Sequence, residues 1–252
     1  TFVVVAIVVG ALKGPSGAGR REPLLDEQRA ALLRGVSHDL RTPLARMRVA
    51  VELLTLQPRQ SLIARLEHDI DEMNGLIGQL LELAKGLGHE ERRPIDLKPW
   101  LFERARLHAD AAQATGSTVT VTCPDGLQAH GAADLLGRVV DNLLSNALRY
   151  APGPVELLAQ AGDGLPPGRV RLGVADRGPG IPADRIDAVW RPFQRVEGSR
   201  NPRTGGYGLG LAIVRQLATS QGWTVGLAAR TGGGLEAWVE LPMPERPVSH
   251  TA

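Results

Sequence analysis

The chain has 252 residues, 43% of them hydrophobic and 22% charged, with a formal net charge of +2. This composition excludes a disordered, collagenous or fully membrane-embedded protein and suits one large globular domain or two smaller ones. The near balance of charge argues against a broad polyanion-binding surface, so no nucleic-acid partner is expected. The single cysteine, Cys123, rules out an intrachain disulfide and suits a reducing compartment. It follows the alternating stretch TVTVT, where buried filler is the expected role.

In chain order, residues 1–12 (TFVVVAIVVGAL) are uncharged and rich in β-branched residues. A membrane span needs about 20 apolar residues, so this stretch is too short by itself. It reads either as a core strand or as the end of a membrane helix. Lys13 and the linker KGPSGAGRR favour the membrane helix, with the basic residues marking the cytoplasmic side. The expected organisation is thus a partial transmembrane helix over 1–12 and a linker over 13–27.

From Pro23 to Gly88 the periodicity is helical. Leu33, Val36, Leu40, Leu44, Met47, Val51 and Leu54 recur at spacings of three and four. Pro58 in TLQPRQS then breaks the pattern. A second stripe follows through Leu62, Leu66, Ile70, Met73, Ile77, Leu80 and Ala84. Two helices joined by a short turn make a hairpin that buries too little alone, and two hairpins can pair their stripes as a four-helix bundle. Residues 28–88 are therefore expected to form a homodimerisation domain.

After a short linker at 89–93 the periods mix. Strands are expected at Pro94–Leu97, Val119–Cys123, Leu127–His130, Val155–Ala161, Val170–Asp176, 224–229 and 235–241. Helices are expected at Pro99–Ala114, Ala132–Tyr150 and 208–221. Residues 94–245 thus read as an α/β sandwich, one mixed sheet with helices on a face, followed by a tail at 246–252.

Four motifs carry chemistry. In GVSHDLRTPL, a neutral imidazole at His38 is a competent nucleophile near pH 7. Asp39 could orient the ring and stabilise its other proton. Thr42, four residues on, shares the histidine's helix face and could position a water. Pro43 removes a hydrogen bond to the Asp39 carbonyl and reads as a hinge or as a tolerated kink. ADRGPGIP places Asp176 at a strand end, with Gly178 and Gly180 allowing close approach of a ligand. GGYGLGLAIV runs Gly205, Gly206, Gly208 and Gly210 into a helix start, a natural cradle for phosphates. DNLLSNALRYA sets Asn142 and Asn146 four apart, either as two solvated amides or as neutral ligands for Mg²⁺.

In this order the asparagine pair and the two glycine motifs resemble the ATP-binding fold shared by histidine kinases, type II topoisomerases, heat-shock chaperones and mismatch-repair ATPases, the GHKL type. The resemblance implies that Asp176 hydrogen-bonds the adenine amino group and that Asn146 holds Mg²⁺ with Asn142 assisting. It also implies that Arg149 and Tyr150 approach phosphate and adenine. The segment RPFQRVEGSRNPRTGG, with Phe193, would be a lid over the nucleotide. ATP-hydrolysing branches carry a glutamate base four residues before the Mg²⁺ asparagine. Here that position is Asn142, whose amide cannot take a proton, so the expectation is ATP held for another acceptor.

SHDLRTPLARMRVAVELL is similar to the phosphoacceptor box of transmembrane sensor histidine kinases, most like the osmolarity-sensor subfamily. That similarity implies a phosphorylated His38, Asp39 as acid/base, and Thr42 serving removal of phosphate from the partner. It implies ATP and Mg²⁺ as cofactors, a response-regulator receiver domain as partner, and a bacterial inner membrane location with the catalytic region in the cytoplasm. Between the apolar segment and the acceptor helix only residues 13–27 intervene, where such kinases carry a further signalling module. A non-kinase ATPase of the same fold and a non-catalytic ATP-binding scaffold are the other readings. Asn142 and the intact His38, Asp39 and Thr42 argue against both. The remaining histidines, His68, His89, His108, His130 and His250, match no motif and read as surface or structural.

Overall fold

The computed structural model describes residues 23–56, 59–84, 91–162, 164–194 and 207–244, without the side chains of 23–39, 72 and 82–84. The apolar segment 1–12, most of the linker after it, Gly205, Gly206 and the tail 246–252 lie outside the described residues. No described helix is long and apolar enough to cross a membrane. The chain divides into two compact units, one built on two long helices and one on a mixed sheet.

In the helical unit, α1 (Pro23–Leu56) runs unbroken through Pro43, and α2 (Gln60–Ala84) follows after three residues. Leu40, Pro43 and Ala50 are buried on α1, and Asp69, Leu76 and Leu80 on α2, at the three- and four-residue spacing of a packed helix face. That face is only half of the apolar surface. Leu44, Val51 and Ile70 from the predicted stripes are exposed, as are Val49, Leu53, Leu56, Ile63 and Leu81. The hairpin also buries a charge. Arg46 Nη2 reaches Asp69 Oδ1 at 2.8 Å, and the Asp69 side chain is only 3% exposed.

The second unit begins with β1 (Arg93–Asp96), α3 (Leu97–Leu107) and the short α4 (Ala109–Ala114). Then come β2 (Thr118–Thr122), β3 (Gln128–Gly131) and α5 (Ala133–Tyr150). β4 (Pro154–Ala161) and β5 (Arg169–Ala175) precede a 3₁₀ turn at Ala183–Arg185. α6 (Gly210–Gln221), β6 (Thr224–Ala229) and β7 (Leu235–Pro242) complete the unit. Five strands form one sheet in the order β2-β4-β5-β7-β6, with β2 parallel to β4 and the other pairs antiparallel. Val155, Leu157, Ala159, Val170, Leu172, Val174, Ala237, Val239 and Leu241 alternate along the three central strands and are buried on a single face. α5 contributes Leu136, Val139, Val140, Leu143, Leu144 and Ala147 to the same core.

The structure corrects the expected sandwich in several places. The single sheet is two, because β1 and β3 pair with each other antiparallel and not with the five-stranded sheet. Each is four residues long and runs almost directly into a helix, leaving no length for further pairing. The expected helix Pro99–Ala114 starts at Leu97 and breaks at His108, whose φ of −99° and ψ of 7° leave the helical region. The last helix starts at Gly210, not 208, since Gly208 has a φ of 68°. The 3₁₀ turn at Ala183–Arg185 was not anticipated. Cys123 is half-buried, not buried, and this partial burial raises its thiol pKa. His108 is structural, with Nε2 3.1 Å from Asp141 Oδ1.

Candidate functional site

The sheet unit gathers the asparagine pair, the Asp176 motif and the start of α6 at Gly210. α5 is amphipathic, so burying its leucines and valines turns Asn142 and Asn146 toward the helix flank, where both are half-buried. Asn142 Nδ2 donates to the carbonyl of Arg138, one turn back, at 2.8 Å. Its side-chain oxygen thereby faces outward, toward the start of α6. Gly210, the first residue of α6, lies against both amides. A Cβ there would stand 3.3 Å from Asn142 Oδ1 and 3.3 Å from both polar atoms of Asn146. The first N–H groups of a helix have no intrahelical partners. The arrangement thus sets unpaired donors beside two neutral carboxamides, a combination that can hold phosphate and a divalent cation together.

Asp176 follows β5 and is 7% exposed. Its Oδ1 accepts two backbone hydrogen bonds, from Gly178 N–H at 2.8 Å and from Leu235 N–H at 3.2 Å. Oδ2 takes none among the described residues, so one carboxylate oxygen is held ready to accept from a ligand. The flanking glycines are there for close approach. A Cβ on Gly178 would lie 2.4 Å from the Cβ of Ala151, just past the end of α5. Gly180 has a φ of 72° and faces the Gly234 carbonyl. Ala151 lies five residues after Asn146, about 7.5 Å along a helix rising 1.5 Å per residue. The Asp176 turn and the asparagine pair therefore sit at successive points of one helix. Tyr150 is half-buried and Arg149 exposed in its last turn.

The β6–β7 turn belongs to this site, although no motif marked it. Asp176 N–H donates to the Leu235 carbonyl at 2.9 Å, and Gly234 packs onto the Asp176 carbonyl so closely that a Cβ would come within 2.0 Å. Gly232, Gly233 and Gly234 all have positive φ. The signal that could have found it is the run TGGGL, residues 231–235, between the last two expected strands.

The remaining expected residues fall elsewhere. Phe193 is the one non-glycine residue with positive φ among those described, at 62°. Its N–H donates to the Gly208 carbonyl at 2.9 Å, and a Cβ on Gly208 would meet the Gln194 carbonyl at 2.8 Å. These two residues clasp the ends of the expected lid, whose Gly206 and residues 195–206 lie outside the described set. His38 and Asp39 lie within α1 with side chains that are not described, and Thr42 is exposed on the same helix.

Two family models match the chain in tandem. Residues 28–87 match the His Kinase A (phospho-acceptor) domain. Residues 131–245 match the histidine kinase-, DNA gyrase B- and HSP90-like ATPase. Among curated proteins, the chain is 37% identical over 220 residues to the sensor protein RstB of Escherichia coli, covering 84% of this chain and 48% of that one. It is 35% identical over 246 residues to the sensor protein KdpD of Mycobacterium tuberculosis, covering 90% and 28%. The signal transduction histidine-protein kinase BaeS of E. coli is 31% identical over 223 residues, covering 86% and 47%. The chain thus spans less than half the length of each of these three relatives. Among solved structures, full-length ShkA in complex with AMPPNP is 30% identical with a TM-score of 0.61, covering 84% of this chain and 45% of that one. The histidine kinase ThkA in complex with response regulator TrrA has a TM-score of 0.70 at 18% identity, covering 86% and 64%, a likeness of fold alone.

Proposed function

The chain belongs to the sensor histidine kinases of two-component systems, and we propose that it is an autokinase that phosphorylates His38 from ATP. The phosphoryl group then passes to an aspartate of a response-regulator receiver domain. The observation that carries this reading is the tandem of a phospho-acceptor domain match over residues 28–87, which contain His38, and an ATPase domain match over residues 131–245.

The residues fit an adenine nucleotide with Mg²⁺. Asp176 Oδ2 would accept from the adenine amino group, and Gly178 and Gly180 would let the base approach the backbone. The carboxamide oxygen of Asn146, with Asn142 beside it, would hold the cation without adding negative charge. The start of α6 at Gly210 would face the phosphates, with Gly206 and Gly208 leading into it. Arg149, Tyr150 and Phe193 would contribute around the nucleotide. Bound Mg²⁺ neutralises charge on the transferring phosphoryl group. The imidazole nitrogen of His38 attacks the γ-phosphorus, the bond to the bridging oxygen breaks, and ADP leaves. Asp39 orients the ring and takes up or stabilises the proton on its other nitrogen, and Thr42 positions the water that later removes phosphate from the regulator.

The exposed apolar residues Leu44, Val51, Leu53, Leu56 and Ile70 support pairing of two hairpins into a homodimer. The apolar segment 1–12 followed by Lys13 supports attachment to the bacterial inner membrane, with the catalytic region in the cytoplasm. The organisation proposed is residues 28–88 for dimerisation and phosphotransfer and residues 94–245 for ATP binding.

Labelling with γ-labelled ATP and Mg²⁺ tests the proposal. The chain is expected to acquire acid-labile, alkali-stable label, and His38→Gln to lose it while still binding ATP. Label that persists in His38→Gln overturns the assignment. Asn146→Asp is expected to abolish labelling, and Thr42→Ala to spare labelling but slow dephosphorylation of the regulator.

A further inference from the structure

The Asp176 turn is braced by a polar strut that none of the nucleotide motifs contains. Arg230, just past the end of β6, donates from Nη1 to the Asp176 backbone carbonyl at 3.2 Å. Its Nη2 lies 3.4 Å from Glu156 Oε2 on β4. Glu156 is in turn fixed from β2, where Thr122 Oγ1 donates to Oε1 at 2.8 Å. The guanidinium is 20% exposed and the Glu156 side chain 34%. Thr122 on β2 and Glu156 on β4 are thus linked through Arg230, past the end of β6, to the Asp176 carbonyl after β5.

That carbonyl needs the donor. Gly234 covers it from one side, and a buried carbonyl left without a hydrogen bond is costly. Arg230 fills this need with a planar fork that reaches Asp176 and Glu156 at once. Both backbone hydrogen bonds to the Asp176 side chain fall on Oδ1, from Gly178 and Leu235, so the direction of Oδ2 depends on the Asp176–Gly178 turn keeping its place against Gly234 and Leu235, which is the placement the bond to the Asp176 carbonyl holds. Arg177 braces the same turn from outside, with Nη1 3.1 Å from the Thr231 carbonyl.

We propose that Arg230, anchored by Glu156, is the positioning residue that makes the nucleotide site specific for adenine. The inference rests on the reading of Asp176 as the partner of the base. Adenine offers an amino donor where guanine offers a carbonyl acceptor. A carboxylate oxygen held at that point attracts the donor and repels the acceptor, and a site built for a hydrogen bond discriminates strongly against a base that cannot make it. An oxygen free to swing loses that discrimination.

The test uses the full chain and measures ATP and GTP dissociation constants by calorimetry, with the melting temperature recorded alongside. Arg230→Met keeps the aliphatic stem and removes the donors. It is expected to weaken ATP about tenfold, the scale of one lost buried hydrogen bond, and to leave GTP nearly unchanged, so that the ATP/GTP preference collapses. The KM for ATP in labelling rises by a similar factor, with a smaller effect on the maximal rate. Arg230→Lys, which can still donate to one partner, restores part of the preference, and Glu156→Gln loses part of it. An unchanged ATP/GTP ratio in Arg230→Met overturns the proposal, as does an equal loss of both nucleotides with a lower melting temperature. Asp176→Asn separates the two layers. If it keeps the preference for ATP, the adenine reading itself fails. If it loses the preference and Arg230→Met keeps it, only the strut fails.

Discussion

The two units solve the problem of burial differently. The sheet unit closes its own core, with leucines and valines from three central strands buried beneath α5 and α6. Gly178 and Gly234 sit where the neighbouring chain leaves no room for a Cβ. The helical hairpin leaves Val51 and Leu56 more than half exposed and Ile70 nearly so, yet seals the charged Asp69 away from solvent. A self-sufficient fold puts its apolar residues inside and its charges outside. The hairpin's departure from that rule supports the proposed pairing of two hairpins, whereas the sheet unit buries its core within one copy.

Substitutions should respect this division. The largest effect is expected from Gly234→Val. Its Cβ would collide with the Asp176 carbonyl, and at a φ of 107° a β-branched residue is strained as well, together at least about 3 kcal/mol. ATP binding should fall below detection in calorimetry, while sedimentation still reports a dimer. Loss of the dimer in this variant would break the separation between the units.

Breaking the buried ion pair comes next. Arg46→Met takes the guanidinium away from Asp69, whose side chain is 3% exposed, a loss of about 3–5 kcal/mol, whereas Arg46→Met combined with Asp69→Leu should recover most of it. Thermal unfolding of the helical transition measures both, and ATP affinity should not move. A double variant as unstable as the single one would show that the pair is not the relevant contact.

Val51→Asp and Ile70→Glu should act on association alone. Each removes an apolar side chain whose full burial contributes about 1.5–3 kcal/mol, so the dimer dissociation constant should rise at least about tenfold per site. Sedimentation equilibrium measures it. Unchanged association would place the interface on another face of the hairpin. The smallest effect concerns Cys123. Its thiol pKa is raised, chiefly by burial, so less thiolate forms at a given pH than in an unfolded chain. Alkylation near pH 8 should be slower in the native protein than in denaturant.

The sequence made the secondary structure legible where periodicity was strong, as in α1, α2 and α5, whose apolar spacing leaves one solution. Asp176 and the asparagine pair drew notice through the order of the three motifs and the resemblance that order carries, since alone each reads equally as a glycine turn or as solvated amides. What escaped it was non-local. The separation of β1 and β3 into their own sheet depends on pairing partners across the α/β unit. The break at His108 accompanies a contact with Asp141, 33 residues away. Arg230, Glu156 and Gly234 sit in unremarkable local sequence and come beside Asp176 only when β4, β5, β6 and β7 assemble. Glycine spacing located the motifs but could not say which glycines lack room for a Cβ.

The central claim, that this chain holds ATP for transfer to His38 and not to water, is tested most directly by stoichiometry in a single turnover. Protein in excess over γ-labelled ATP and Mg²⁺ should release ADP and gain label in a ratio near one, with the label mapped to His38 as an alkali-stable phosphoramidate. Continued ADP and free phosphate release without label on the chain would contradict the account and make Asn142 compatible with hydrolysis after all.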